Sequence, residues 1–271
     1  MTNAETDLLL WRRQKDESLT GPSGWLALAG LWWLAEGANT LGSDPTCDIV
    51  LPAGAPAHLG VILFRAGLPT LQLTCPEDVR VDGKAGPESQ LLADSDEGGP
   101  SQLTVGPLTM VIIRRGEQAA LRVWDAERAE RLTFPGRRWF LPDDGFRVEG
   151  VFWRRQPQRR LPVPNTVGMV VEMENPGWVE FDLAGRPLRL EALDGGPDLL
   201  WLIFRDATSG KETYGACRYL YAPLLTDGRV ELDFNRAYNP PCAFTPFATC
   251  PLPPAGNSLE VRIEAGERFE S

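Results

Sequence analysis

At 271 residues, 43 % of them hydrophobic and 24 % charged, the chain is long enough for two modest domains or one large β domain, and its composition is that of a folded globular protein. Its net charge is −10 and its only lysines are Lys15, Lys84 and Lys211, so it lacks the cation density that displaces counterions from a phosphate backbone, and no nucleic-acid partner is expected. The other basic residues are arginines, whose planar guanidinium makes two-point contacts with carboxylate or phosphate, which points instead to small anionic partners.

The N-terminal segment MTNAETDLLLWRRQKDE carries acids where an export signal carries its positive region, and the apolar run Leu8–Leu10 is short. No stretch approaches the roughly 20 apolar residues that span a bilayer. A soluble, cytoplasmic protein with no membrane partner is therefore expected. Residues 5–17 form the best helix candidate, with Leu8, Trp11 and Lys15 on one side and acids near the start. A second short helix is expected over Trp25–Leu34.

Beyond that point scattered prolines and glycines cut the chain into short runs suited to strands. These are Gly60–Phe64, Thr70–Leu73, Val79–Val81, Gln102–Val105, Thr109–Arg114, Ala120–Trp124, Arg147–Trp153, Val167–Glu174, Trp178–Leu183, Pro187–Ala192 and Leu199–Phe204. Hairpin turns are expected at Asn175-Pro176-Gly177 and Ala184-Gly185-Arg186, where Gly or Asn accepts positive φ. The arginine- and proline-rich run RRQPQRRLPVP, Arg154–Pro164, reads as a linker. The domains are accordingly 1–153, a linker 154–166, and 167–271.

Within residues 38–114 the runs ANTLGSDPTCDIVLPAGAPAHLG, VRVDGK and LTVGPLTMVIIRRG follow one another in an order that resembles the forkhead-associated (FHA) β-sandwich. The resemblance implies a sandwich fold. Ser43, Ala55 and Asp82 stand where that family holds its phosphate-binding residues, so no phosphothreonine binding is expected. His58, the only histidine, reads either as a general base or as a residue that pins a turn.

The C-terminal run LWLIFRDATSGKETYGACRYLYAP, then VELDFNRAYNPPCAFTPFATCPLPPAGN, then RIEAGE, resembles a bacterial family of unknown function marked by FRDATSGxxTYGxxRYL, DFNxAYNPPCA, CPLPPxxN and a closing AGE. Together these features predict a mainly β protein: an FHA-like β-sandwich followed by a second antiparallel β domain, with a short N-terminal helix.

Read residue by residue, the apolar run Leu199–Phe204 is a buried strand that delivers Arg205 and Asp206 to its end, with Thr208-Ser209-Gly210 as a turn. Tyr214–Tyr221 reads as the return strand, placing Arg218 beside Ala216 and Leu220 on one face. A guanidinium there needs a partner, and Asp206, Asp233 and Glu264 are available. Arg205, Asp206, Arg218, Asp233, Asn235, Tyr238 and Asn239 form the candidate ligand-binding set, with the two arginines as anion clamps; the competing reading has the Asx residues bracing a proline-rich loop. A carboxylate-dependent hydrolase using Asp206 and Asp233 is the alternative function, and a structural or protein-interaction module the second alternative.

No cofactor is implied, since TSGK at 208–211 lacks the upstream glycine of a phosphate loop. No metal site is expected, because one histidine and cysteines without a CxxC pair do not supply a zinc ligand set. Cys47, Cys75, Cys217, Cys242 and Cys250 are expected as free thiols, with a reversible Cys242–Cys250 bridge as the other option.

Overall fold

The computed structural model describes residues 3–75 and 78–269. Two compact units divide it: Glu17–Phe134, and a discontinuous unit made of Met1–Asp16 with Pro135–Ser271. The protein is mainly β, with several antiparallel sheets and one long N-terminal helix, α1 (Asn3–Thr20).

Among the described residues the Glu17–Phe134 unit carries ten strands: β1 (Leu28–Trp33), β2 (Gly37–Gly42), β3 (Ile49–Val50), β4 (Gly60–Arg65), β5 (Leu68–Leu73), β6 (Arg80–Val81), β7 (Glu88–Gln90), β8 (Leu103–Val105), β9 (Leu108–Arg115) and β10 (Gln118–Asp125), then the single-turn helix α2 (Ala129–Leu132). They form two five-stranded sheets, β1-β10-β9-β8-β6 and β3-β2-β4-β5-β7. Alternate residues turn inward from both: Leu41, Ile62 and Leu71 from one sheet meet Met110, Ile112, Leu121 and Val123 from the other in a single core. The helix expected over Trp25–Leu34 is corrected to a 3-10 turn, Trp25–Ala27, followed by β1. Tryptophans suit a half-buried pleated surface better than a short helix. Gly30 leaves room for the Trp32 ring to lie over it, since a Cβ there would come 1.9 Å from that ring.

The other unit holds most of α1, up to Asp16, and, among the described residues, six strands: β11 (Arg147–Pro164), β12 (Val170–Leu183), β13 (Arg186–Asp194), β14 (Leu199–Phe204), β15 (Arg218–Pro223) and β16 (Arg229–Asp233). They run antiparallel in the order β15-β14-β13-β12-β11-β16. One face packs Val179, Phe181, Leu190, Leu202, Phe204, Leu220 and Leu232 against Leu259, Val261, Ile263 and Ala265 of the C-terminal segment. At one end the opposite face buries a smaller cluster of Val163, Leu193, Ile203, Cys217 and Tyr219.

Two sequence expectations fail in this sheet. The run 154–164 is not a linker but the distal part of β11, paired with β12 from Arg159↔Asn175 to Pro164↔Val170. It lacks apolar alternation because most of its side chains are exposed on both faces. The domain break falls at 134/135 instead, so the unit that was expected to begin at 167 takes in 135–166 and the start of α1. Asn175-Pro176-Gly177 is likewise not a hairpin turn but lies inside β12, opposite the irregularity between Arg154 and Arg159 of β11. A bulge tolerates the missing Pro176 N–H, and the buried Asn175 side chain donates to the Gly177 and Ala192 carbonyls at 2.8 and 2.7 Å. The second turn forms as expected, with Ala184 at φ +55° and Gly185 at φ +75°.

Candidate functional site

Strand β14 alternates until its end, so Phe204 and Asp206 face the core and Arg205 faces away. Phe204 pairs with Arg218 across β14 and β15, which puts the Arg218 guanidinium beside Asp206 at 3.1 Å, both side chains fully buried. Arg218 also donates to the Ile263 carbonyl at 2.9 Å and to that of Ala265, and packs over the Phe204 ring at 5.3 Å. Burial pushes its pKa down, and Asp206 opposes that push. Asp206 accepts from the Ile263 N–H at 2.8 Å and the Thr208 hydroxyl at 2.8–2.9 Å. Every contact serves to tie the C-terminal segment and the turn at 208–210 to the sheet.

The anticipated clamp of two arginines is therefore absent: Arg205 is exposed on the other face, bridged by its backbone to Ser258. Glu264 does not reach Arg218 but pairs with Arg262 at 2.7 Å on the surface. Residues 214–217 precede the return strand rather than forming part of it, since β15 begins at Arg218. Asp233 accepts from the Asn235 N–H at 3.1 Å and meets Arg147 at 3.2 Å and Arg236 at 3.4 Å. Asn235, buried, exchanges hydrogen bonds with the Asp143 N–H and carbonyl, both at 3.0 Å. These two residues brace one turn against another. In the other unit the Ser43 hydroxyl donates to the Ala55 carbonyl at 2.8 Å, and His58 lies 3.7 Å from the Cys47 thiol and 3.9 Å from Asp44.

Tyr238 and Asn239 lead elsewhere. Helix α1 lays Lys15 over the Tyr238 ring, its ammonium 3.8 Å from the ring centroid and 5.4 Å from that of Trp11. Trp11 in turn packs edge-on against Trp139 and Tyr238. Glu267, buried, accepts from Arg137 at 2.6 Å and from the Asn239 N–H at 2.8 Å. Arg137 also lies 3.4 Å from Asp16 and covers the Phe244 ring at 4.6 Å. The Asn239 amide donates to the Arg268 carbonyl at 3.1 Å, while its Oδ1, also buried, accepts nothing among the described residues.

Burial pushes the Glu267 carboxyl up to about 7 despite Arg137 and Asn239. Burial and the neighbouring Arg137 bring the Lys15 ammonium down to about 8 against the pull of Glu267. The cluster thus holds two groups that exchange protons near neutrality.

Lys15, Arg137 and Glu267 were not in the sequence-derived set. The signal for Glu267 was present in the closing Ala265-Gly266-Glu267. Gly266 has φ +80°, and a Cβ there would sit 2.4 Å from the Ala237 carbonyl oxygen. Gly266→Ala is expected to cost about 1–2 kcal/mol from the left-handed backbone, before any displacement of Ala237, read as a lower midpoint in chemical denaturation.

Beside this cluster, Lys211, Thr213, Tyr214 and Phe269 line a cleft of about 210 Å³, where the Tyr214 hydroxyl donates to the Cys242 carbonyl at 3.0 Å. Among the described residues no group of three His, Cys, Asp or Glu side chains is arranged to hold a metal, and no helix is long and apolar enough to cross a membrane.

Comparison with known proteins places this half of the chain. The model of the family described as "Protein of unknown function (DUF1684)" matches residues 132–268, half of the sequence. The chain belongs to that family. The match takes in Arg137, Tyr238, Asn239 and Glu267 and leaves out Lys15. An uncharacterized protein from gene locus rrnAC0354 of Haloarcula marismortui, solved by NMR in solution, is 34 % identical over 52 % of this chain and 80 % of its own, with a TM-score of 0.44. The FHA domain of FhaA, solved in complex with the intracellular domain of Rv3910, is 17 % identical over 34 % of this chain and 96 % of its own, with a TM-score of 0.24. No curated protein matches the chain.

Proposed function

We propose that the DUF1684 unit binds a small anionic molecule of the carboxylate or phosphate class, with Lys15 and Arg137 as its cationic contacts and Tyr238 and Asn239 beside them. One observation carries the reading. The Lys15 ammonium is held against two aromatic faces next to a second cation, with neither an ion pair nor a hydrogen bond of its own among the described residues. A half-buried cation beside another cation is unfavourable, and a bound anion would supply a partner that water supplies less well. The free Asn239 Oδ1 suits a ligand that also carries a hydroxyl or amine donor. The carboxylate pair Asp206 and Asp233 offers no competing hydrolytic reading, because one is sealed on Arg218 and the other is committed to Asn235, Arg147 and Arg236.

Thermal unfolding at constant ionic strength, with inorganic phosphate and a panel of small mono- and dicarboxylates, tests it. Binding stabilises the folded state as RT ln(1 + [L]/Kd), about 2.7 kcal/mol at a hundredfold excess over Kd. The gain is expected to vanish in Lys15→Gln and to fade as pH rises through about 8, where Lys15 loses its charge. Equal stabilisation of the wild type and Lys15→Gln, or no stabilisation by any member of the panel, would overturn the proposal.

A further inference from the structure

The proposed anion site makes no use of the three cysteines in its unit, Cys217, Cys242 and Cys250. Cys242 sits in the 3-10 turn Pro241–Ala243, and the chain returns through Thr245 and Phe247 to Cys250. The Cys242 N–H donates to the Cys250 sulfur at 3.2 Å, which holds the two residues against each other.

Both ends of this loop are anchored by other parts of the fold. The Cys250 N–H donates to the Thr166 hydroxyl at 3.1 Å, its carbonyl accepts from the Thr166 N–H at 3.0 Å, and the Cys242 carbonyl holds the Tyr214 hydroxyl. The pair is therefore set by the structure rather than by chance encounter of a flexible loop. Accessibility divides the two thiols: Cys250 is buried and Cys242 is only half-buried. The third cysteine, Cys217, is fully buried, with the Pro251 carbonyl 3.9 Å from its sulfur.

We infer that Cys242 and Cys250 form a site of reversible oxidation, converted by a hydroperoxide into a disulfide and restored by a small-molecule thiol. Cys242 is the attacking group, since it is the one that a peroxide can reach. The neighbouring Cys250 also lowers its pKa against the effect of burial, while Cys250 itself is pushed up by Cys242 and by burial. The Cys242 thiolate attacks one peroxide oxygen, the O–O bond breaks, and the departing alkoxide or hydroxide takes up a proton, leaving a sulfenic acid. The Cys250 sulfur then attacks the Cys242 sulfur, the S–S bond forms, the S–O bond breaks and water leaves with the Cys250 proton. In sum two thiols and one hydroperoxide give one disulfide, one alcohol or water from the peroxide, and one further water; the two electrons pass from the sulfurs to the peroxide. Because the Cys242 carbonyl holds Tyr214, the change is transmitted to the wall of the cleft of about 210 Å³ that Tyr214 lines.

The test is oxidation of the full chain by near-stoichiometric hydrogen peroxide, followed by thiol counting and by peptide mapping under non-reducing conditions. The expected result is loss of two of the five thiols, recovery of both on adding reduced glutathione, and a linked pair of peptides containing Cys242 and Cys250 that is lighter by two hydrogen atoms than the reduced pair. Cys250→Ser is expected to stop at a Cys242 sulfenic acid captured by a dimedone probe, and Cys242→Ser to leave Cys250 reduced. The wild-type map decides the matter even where a variant folds poorly. Thiols at 242 and 250 that persist while Cys47 or Cys75 oxidises would overturn the inference, as would a bridge that includes Cys217.

Discussion

Replacing Arg218 with alanine is expected to lower stability by about 3–5 kcal/mol, the range for breaking a buried ion pair by removing one partner. The loss is this large because the pair is sealed: neither side chain has any exposure, so water cannot replace the guanidinium beside Asp206. The Ile263 and Ala265 carbonyls lose their donor at the same time, and unsatisfied buried acceptors add to the penalty. Arg218→Lys should recover only part of the loss, since a point-like ammonium cannot address two carbonyls and a carboxylate in the geometry of a fork. Urea denaturation of the two variants checks both statements, and an unfolding free energy for Arg218→Ala within about 1 kcal/mol of wild type would show that the pair is not the anchor of the C-terminal segment.

That Arg218 had to be buried and paired was legible from alternation alone, as Leu220 two residues on is apolar and the strand period is two. Its partner was legible only as one of three acids, because which of Asp206, Asp233 and Glu264 lies opposite depends on the register between β14 and β15. Alternation also says why Arg205 could not join it: the residue next to Asp206 points to the other face. Where alternation was missing, the reading failed. The run 154–164 resembles a linker in composition because an exposed ribbon has no buried face to impress a period on its sequence. Asn175-Pro176-Gly177 has the residues of a turn and occupies a bulge, since both need a break in regular pairing. The cluster around Glu267 was out of reach for a different reason. Its members come from α1, the segment before β11, the stretch after β16 and the last residues of the chain, and no local pattern records that Arg137 meets Glu267.

The proton held by Glu267 gives the second large expected effect. Its folded-state pKa stands at about 7 against 4.5 for the free side chain, so between those values the folded protein keeps a proton that the unfolded chain has released. Stability from this group is therefore complete below about pH 4.5 and is lost as pH rises through 7; a displacement of this size corresponds to about 3 kcal/mol. The sign is the reverse of that for a carboxylate stabilised by its ion pair: burial outweighs Arg137 here, and ionising Glu267 is a cost that folding bears. In Glu267→Gln the side chain cannot ionise, so the difference in unfolding free energy between variant and wild type should shift by about 3 kcal/mol in the variant's favour from pH 4.5 to pH 8. Arg137 keeps Asp16 at 3.4 Å in either case, so the comparison isolates the proton rather than the loss of the cation's last partner. Urea titrations at several pH values read this directly, and a variant-to-wild-type difference that stays flat across the window would show that Glu267 ionises as an ordinary carboxylate. An anion bound beside Lys15 and Arg137 should raise the Glu267 pKa further, because it adds negative charge near a carboxyl already costly to ionise. Ligand binding is then expected to take up a proton near pH 7, and titration calorimetry in buffers of different ionisation enthalpy should register a larger uptake in the wild type than in Glu267→Gln, where only Lys15 remains to take one up.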